Sequence, residues 1–235
     1  MGKFSQRSYQ KEIMDDLDVD GDVLQQTLKE LRIINRLLGG NHVTTNGLEF
    51  LTEKSKEREY TIADIGCGGG DMIKVMAAWA EKNNLKCHFI GIDANPHTIE
   101  MAKKNLSDLS DISFEAQNVF SDEFKKEKVD IITCTLFTHH FTDQELIYLL
   151  DVFRTKARLG IIINDLHRHP LAYYSIRILT GLFSKSDMVK NDGPLSVLRG
   201  FKLSEIQDIL SKAQLKPHKI RWNWAFRWQI ICKTN

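Results

Sequence analysis

Two groups of residues in this sequence have the types and spacing that chemistry requires. The first is the stretch ADIGCGGGD, residues 63–71, in which a glycine-rich turn stands between Asp64 and Asp71. The second consists of histidines and charged residues that follow two hydrophobic runs, in FTHHF (137–141) and DLHRH (165–169). Glycines let a ligand approach bare backbone, and histidine exchanges protons near neutral pH. The sequence therefore indicates a ligand-binding turn and a source of acid–base chemistry.

The charge of the glycine turn distinguishes between ligands. A dinucleotide-binding loop has the spacing G-x-G-x-x-G, but after Gly66 and Gly68 the third position is Asp71. Two flanking acids would repel a pyrophosphate, whereas they suit a cationic ligand such as S-adenosyl-L-methionine (SAM), which carries a sulfonium and an amino group. Asp64 lies in the first predicted strand and Asp93 ends the second, with the glycine turn and one helix between them. Asp93 is therefore placed to accept hydrogen bonds from ribose hydroxyls.

The elements around these motifs predict an α/β fold. Short β-branched runs alternate with helical patterns, which is typical of a doubly wound, Rossmann-like sheet that is mostly parallel. Seven strands are predicted, at 60–66, 87–94, 112–117, 129–137, 159–166 and, as a C-terminal antiparallel hairpin, on both sides of a turn near 225–227. Ligands bind beyond the carboxyl ends of such strands, so the glycine turn, Asp93 and both histidine groups are expected at one edge of the sheet.

Two segments lie outside this βα rhythm. Residues 1–59 are predicted to form a helical N-terminal cap, with a helix that stops at Gly39-Gly40 and a charged surface link at 52–59, before a domain that spans 60–235. The insert 167–203 is predicted to begin with an apolar helix and to turn at 192–194. It is interpreted either as a lid over an apolar acceptor or as a contact with a second copy of the chain in a homodimer.

Four motifs, DIGCGGG, GIDANP, QNVF and VDIITCTLFTHHF, together resemble the successive motifs of class I SAM-dependent methyltransferases. The resemblance covers residues 60–235 and is closest to the small-molecule branch, which includes enzymes of quinone biosynthesis and of phenolic polyketides. It implies SAM as cofactor, with Asp93 on the ribose and Leu136 on the opposite side of the cofactor. The other implied contacts are Asp64, Gly66, Cys67 and Gly68 along the methionine part, and Ala94, Asn118 and Val119 around the adenine.

Methyl transfer from a sulfonium is an in-line displacement, and a hydroxyl acceptor benefits from a general base. Either His140 or His167 is expected as that base, and a purely structural role remains open for each. Asp165 is expected as a hydrogen-bond acceptor on the substrate or cofactor side, and Arg168 as the anchor of an anionic or phenolate oxygen. O-methylation of a small aromatic, phenolic or lipid-like acceptor is favoured over C-methylation. No metal site is expected, because the four cysteines are scattered without histidines at metal-ligand spacing.

Composition narrows the class of partner. Lys and Arg number 32 against 31 Asp and Glu, a formal charge of +1, so the chain lacks the strong positive field that attracts nucleic acid. The N-terminus has no apolar signal core and no run is long enough to insert in a membrane, so a cytoplasmic location is expected. Two alternatives remain: a nucleic-acid methyltransferase, for which an Asn/Asp-Pro-Pro-aromatic run would be expected after the fourth strand, and a non-catalytic SAM-fold binding protein.

Overall fold

The computed structural model describes residues 2–52 and 58–234, so most of the predicted link at 52–59 lies outside the described residues. Its centre is a seven-stranded sheet with the order β3-β2-β1-β4-β5-β7-β6. The strands are β1 Glu59–Ile65, β2 Lys86–Asp93, β3 Ile112–Ala116, β4 Val129–Thr135, β5 Ala157–Leu166, β6 Pro217–Asn223 and β7 Arg227–Lys233. The strands β1 to β5 pair in parallel, and β7 is antiparallel to both β5 and β6. The predicted sheet is confirmed, including the C-terminal hairpin.

Helices cover both faces of the sheet. They are α1 Gly21–Leu37, α2 Gly40–Thr52, α3 Asp71–Lys82, α4 Pro96–Asn105, α5 Asp143–Lys156, α6 Pro170–Phe183, α7 Asp187–Arg199 and α8 Leu203–Lys212. Side chains of α2, α3 and α4 form one apolar core with the sheet, and side chains of α5 and α8 form a second core on the other face. Because β4 lies between the two cores, its first six residues are buried, as its continuous apolar and β-branched run predicts.

Helix α2 was not predicted from the sequence. Gly39 ends α1 with a φ of +73°, and α2 begins at the next residue. The segment GNHVTTNGLEFLT is rich in glycine, asparagine and β-branched residues, which have low helix propensity, so its helix depends on packing. Gly47 allows that packing: a Cβ built there would lie 2.8 Å from Cγ2 of Ile162 on β5.

The insert 167–203 consists largely of α6 and α7, which pack against each other. The predicted turn at 192–194 is wrong, because these residues lie inside α7. Tertiary contacts override the local turn preference there. The carboxylate of Asp192 accepts hydrogen bonds from the backbone N–H groups of Ile13 (2.9 Å) and Met14 (3.0 Å), and Gly193 lies close to Ile176 of α6.

The apolar stripe predicted for α6 faces outward. Leu171, Tyr174, Ile178 and Leu182 are 51–71% exposed, while Ala172 and Thr180 are buried on the opposite side. No helix among residues 2–52 and 58–234 is both long and apolar enough to cross a bilayer.

Residues 3–19, which we call the N-terminal strap, run across α7 and the short 3₁₀ helix Thr138–His140 that follows β4. Arg7 anchors the strap. Its buried guanidinium donates to the backbone carbonyls of Arg199 (2.9 Å) and Phe141 (3.0 Å) and pairs with Asp143 (2.5 Å). At its other end the carbonyl of Val19 accepts a hydrogen bond from the Asn95 side chain (3.0 Å).

Candidate active site

A cavity of about 530 Å³ opens at the carboxyl ends of β1, β2 and β4, and we call it the glycine-turn cavity. Seven of the nine residues expected to hold the cofactor line it: Asp64, Gly66, Cys67, Gly68, Asp93, Ala94 and Leu136. Asn118 and Val119 are not among the lining residues. The Asn118 side chain accepts a hydrogen bond from the backbone N–H of Phe120 (2.9 Å), and Val119 is buried in the core. The geometry thus gives no support to the expected adenine contacts of these two residues.

The backbone of the glycine turn is folded in a way that requires glycine. Gly66, Gly68 and Gly70 all have positive φ, of +69°, +53° and +80°. At Gly66 space is lacking as well, since a Cβ there would lie 2.2 Å from Cδ2 of Phe137. The turn therefore presents bare backbone to the cavity, as the binding of an extended ligand requires.

Gly66→Ala is expected to lower the melting temperature more than Gly68→Ala does. Both substitutions strain a positive-φ backbone, by about 1–2 kcal/mol. At Gly68 the nearest atom to an added Cβ is a Leu28 methyl at 3.6 Å, an ordinary contact, whereas at Gly66 the Phe137 ring must move. Thermal unfolding followed by circular dichroism measures the difference; equal losses for the two variants would show that the Phe137 contact is unimportant.

Asp64 is a buried carboxylate to which no cationic side chain is paired among the described residues. Burial raises its pKa to about 7, the charge of Asp93 adds to this shift, and a 2.7 Å hydrogen bond from the Thr133 hydroxyl opposes it. Asp71 differs, because Arg32 lies 3.4 Å from its carboxylate. Of the two acids that flank the turn, Asp64 is therefore the one with an unbalanced charge, and it suits a cationic ligand.

Asp93 occupies the end of β2, where ribose hydroxyls were expected. Its two carboxylate oxygens accept backbone N–H groups from Gly68 (3.1 Å) and Asn95 (3.0 Å), which fix the carboxylate at the cavity wall. Burial raises its pKa, and these backbone hydrogen bonds oppose the rise. Each oxygen keeps a second lone pair, so the carboxylate can still accept from a ligand hydroxyl. The positive-φ turn, Asp64 and Asp93 together fit SAM.

A second cavity of about 340 Å³ lies between α1, α6, α7 and the β6–β7 turn, and we call it the apolar cavity. Most of its wall is aliphatic or aromatic, with contributions from Ile34, Ile176, Leu179 and Trp224. Four residues line both cavities: Met14, Leu31, Leu136 and His140. They form the wall that the two cavities share, which we call the junction.

Two carboxylate–imidazole pairs stand beside this junction. Nδ1 of His140 lies 2.5 Å from Asp15, and Nδ1 of His139 lies 2.6 Å from Asp165. Burial alone would raise the pKa of Asp165, but the His139 charge and hydrogen bonds from His139 and Thr138 hold that pKa well below its usual range. Glu12 lies close to both imidazoles. Burial raises the pKa of Glu12 to about 7, although the His140 charge opposes the shift. We call Glu12, His139 and His140 the histidine cluster; all three line the apolar cavity.

Three of the four residues expected in catalysis lie outside both cavities. Asp165 is fully buried behind His139. His167 packs against the Trp228 ring, with centroids 5.1 Å apart. Arg168 is buried, pairs with Glu205 and donates to the Gly200 carbonyl (2.6 Å), so its guanidinium is held by the protein itself. The geometry supports neither a base role for His167 nor a substrate contact for Asp165 or Arg168; of these four, His140 alone reaches the cavities.

Sequence reasoning assigned no role to Glu12, Asp15 or the ring of His139. The acids of the strap lie in QKEIMDD, a stretch with no motif, and only the folded chain brings them next to residues that are more than a hundred positions later.

A comparison with known proteins identifies the family to which this chain belongs. A family model described as a methyltransferase domain matches residues 56–196, more than half of the chain. The chain belongs to this methyltransferase family. The resemblance drawn from the sequence motifs is confirmed, and SAM, the cofactor it implied, is the one that the site fits.

Individual relatives of this methyltransferase are distant. A ribosomal protein L11 methyltransferase of Clostridium botulinum is 30% identical over 130 residues, 54% of this chain and 37% of the relative, so the chain spans little more than a third of that protein. The plantazolicin methyltransferase BpumL, solved with S-adenosylhomocysteine, is 18% identical with a TM-score of 0.62, covering 90% of this chain and 99% of its own. A family 2 O-methyltransferase from Planctomyces limnophilus, solved with apigenin, is 14% identical with a TM-score of 0.63, covering 93% of this chain and 63% of its own.

Proposed function

We propose that this protein transfers a methyl group from SAM to a hydroxyl oxygen of a small apolar acceptor of phenolic or lipid-like character. One observation carries the proposal. The glycine-turn cavity and the apolar cavity meet at His140, whose imidazole is backed by a carboxylate. A methyl donor in the first cavity and an acceptor in the second would therefore meet at an acid–base group.

When bound, SAM supplies an electrophilic methyl group on a positively charged sulfur. The protein's own part is to position both partners and to exclude water. Asp64 and the glycine turn would hold the cationic end of the donor. Met14, Leu31 and Leu136 surround the junction with apolar side chains, so a hydroxyl that enters it is separated from bulk water.

The histidine cluster would supply the base that ionises the acceptor hydroxyl. His140 is its member that reaches both cavities, and Asp15 fixes the orientation of the ring through Nδ1, which leaves Nε2 for the acceptor side. Asp15 in turn is held by Arg199 (2.6 Å). An oxygen nucleophile benefits from this arrangement because a neutral hydroxyl is a weak nucleophile.

The apolar cavity sets the class of acceptor. Its volume is within the usual range for small-molecule sites, roughly 300–1,000 Å³, and its wall suits an aromatic ring or alkyl chain. The apigenin bound by the family 2 O-methyltransferase is a flat phenol of this kind.

The test combines an acceptor panel with a cavity-filling substitution. Transfer of labelled methyl from SAM is expected to phenols that carry alkyl or aryl substituents, and not to the same compounds with the hydroxyl blocked as a methyl ether. Ile176→Trp, which enlarges a half-buried side chain of α6 that lines the apolar cavity, is expected to raise the acceptor KM by at least tenfold with SAM affinity unchanged.

The matched control is Leu171→Trp, on the outward face of the same helix, which should leave the acceptor KM unaltered. SAM binding without transfer to any phenol, or equal transfer to the blocked ethers, would contradict O-methylation. Failure to bind SAM in isothermal titration would contradict the enzyme assignment as a whole.

A further inference from the structure

One oxygen of the Glu12 carboxylate has no hydrogen-bond partner, although it is buried. Oε2 accepts a hydrogen bond from the Ser196 hydroxyl (2.9 Å), but Oε1 accepts none. Nε2 of His139 and Nε of Arg199 each lie 3.6 Å from Oε1, which is beyond hydrogen-bond distance. A buried carboxylate oxygen without a partner is costly, so it calls for an explanation.

Both histidines beside Glu12 are oriented as metal ligands are. Each imidazole has its Nδ1 on a carboxylate, His139 on Asp165 and His140 on Asp15. This carboxylate–imidazole arrangement is the usual outer support of a metal-bound histidine, because it fixes the ring and makes the other nitrogen a better ligand. One donor atom from each of Glu12, His139 and His140 lies within 4.8 Å of the other two.

Around the cluster, the carboxylates of Glu12, Asp15 and Asp165 accompany the guanidinium of Arg199. This surplus of carboxylates suits a divalent cation. Arg199 does not fill the site. Its N–H groups are committed to the carbonyls of His139 (3.1 Å) and His140 (2.6 Å), to that of Gln10, and to Asp15.

We propose that Glu12, His139 and His140 bind a divalent transition-metal ion of the Zn²⁺ type. Two imidazoles and one carboxylate form a ligand set found in catalytic zinc sites, in which a further position stays open. All three residues line the apolar cavity, so that position would face the acceptor. The proposal rests on the proposed function in one respect: with the ion bound, His140 would act as a ligand and not as the base, the open position would take the acceptor oxygen, and the metal would lower the pKa of that hydroxyl. It departs from the sequence-based expectation of no metal site, because Glu12 is far from the histidines in the chain.

Metal binding is tested with the full chain after treatment with a chelator, using isothermal titration with ZnCl₂. One equivalent is expected to bind to the wild type. Glu12→Gln, which keeps the shape of the side chain, should weaken binding by at least tenfold. Glu49→Gln, at an exposed position of α2, is the matched control and should bind as the wild type does. No binding by the wild type, or equal binding by Glu12→Gln, would overturn the site.

Titration with CoCl₂ gives a second readout that needs no variant. Visible absorption bands of a low-symmetry Co²⁺ site with nitrogen ligands are expected, and the spectrum of hexaaqua Co²⁺ alone would overturn the proposal even if Glu12→Gln failed to fold. Addition of a phenol should shift the bands; an unchanged spectrum would contradict the open position.

Parallel titration with SAM separates the two proposals. Absence of Zn²⁺ binding with SAM binding intact would remove the metal and leave the methyltransferase, and the reverse result would remove the methyltransferase and leave the metal site.

Discussion

His140→Gln is expected to lower kcat by about 10²–10⁴-fold, the range typical of a lost acid–base group. The substitution removes the side chain through which the histidine cluster reaches the junction, whereas Asp64 and Asp93, the proposed donor contacts in the glycine-turn cavity, are unchanged. SAM affinity should therefore stay close to that of the wild type. Single-turnover transfer at saturating SAM measures the rate, and isothermal titration measures the affinity.

The control is His167→Gln. His167 also follows a sheet strand and was an equal candidate from sequence, but it packs on Trp228 away from both cavities. It should retain most of the wild-type kcat. Comparable losses in the two variants, or none in either, would show that the carboxylate-backed imidazole at the junction is not what ionises the acceptor.

Asp64→Asn is expected to weaken SAM binding by about 10–100-fold, because a buried hydrogen bond to a charged group contributes roughly 1.5–3 kcal/mol. In the wild type the affinity should also depend on pH. Binding of a cation favours the ionised carboxylate, whose pKa in the free protein is about 7, so affinity should rise as pH increases through 7 and level off above it. Isothermal titration between pH 5.5 and pH 8.5 checks this, and the Asn variant should lack this part of the pH dependence.

The same substitution is expected to stabilise the free protein. Because the folded-state pKa of Asp64 is raised above the ordinary value of 3.8 for an aspartate, its contribution to the free energy of unfolding is present at low pH and is lost as pH rises through 7. At pH 8 the Asn variant escapes this cost, so its urea midpoint should be higher than that of the wild type. Asp71→Asn is the control, since Arg32 already lies beside that carboxylate. A wild type that is more stable than Asp64→Asn at pH 8 would show that Asp64 is compensated within the free protein.

Sequence reasoning succeeded where the signal is local. The strands β1 and β2 were recognised from short β-branched runs. The glycine turn directly follows β1 and Asp93 ends β2, so predicting these two strands also located the turn and Asp93. The sheet topology then brings these residues to one edge. For the same reason seven of the nine expected cofactor residues line the glycine-turn cavity.

It failed where tertiary contacts decide. His140 and His167 were equal candidates for the base because both follow central strands, and only the 3₁₀ helix after β4 turns His140 into the junction and sets His139 in front of Asp165. Glu12 and Asp15 carry no pattern at all. Asp192 was assigned to a turn because Asp-Gly-Pro favours one, but its hydrogen bonds with the strap hold it inside a helix.

The strap also determines when this site can exist during synthesis. Its bonds join residues that are far apart in sequence, with separations of 125 positions from Asp15 to His140 and 184 from Asp15 to Arg199. The strap leaves the ribosome before the elements that it contacts, and its bonds with α7 can form only after Arg199 has been made. The βα units around the glycine turn need only near neighbours and can fold earlier. A nascent chain would thus gain its place for the methyl donor before its means of activating an acceptor, and the histidine cluster would be among the last parts to assemble.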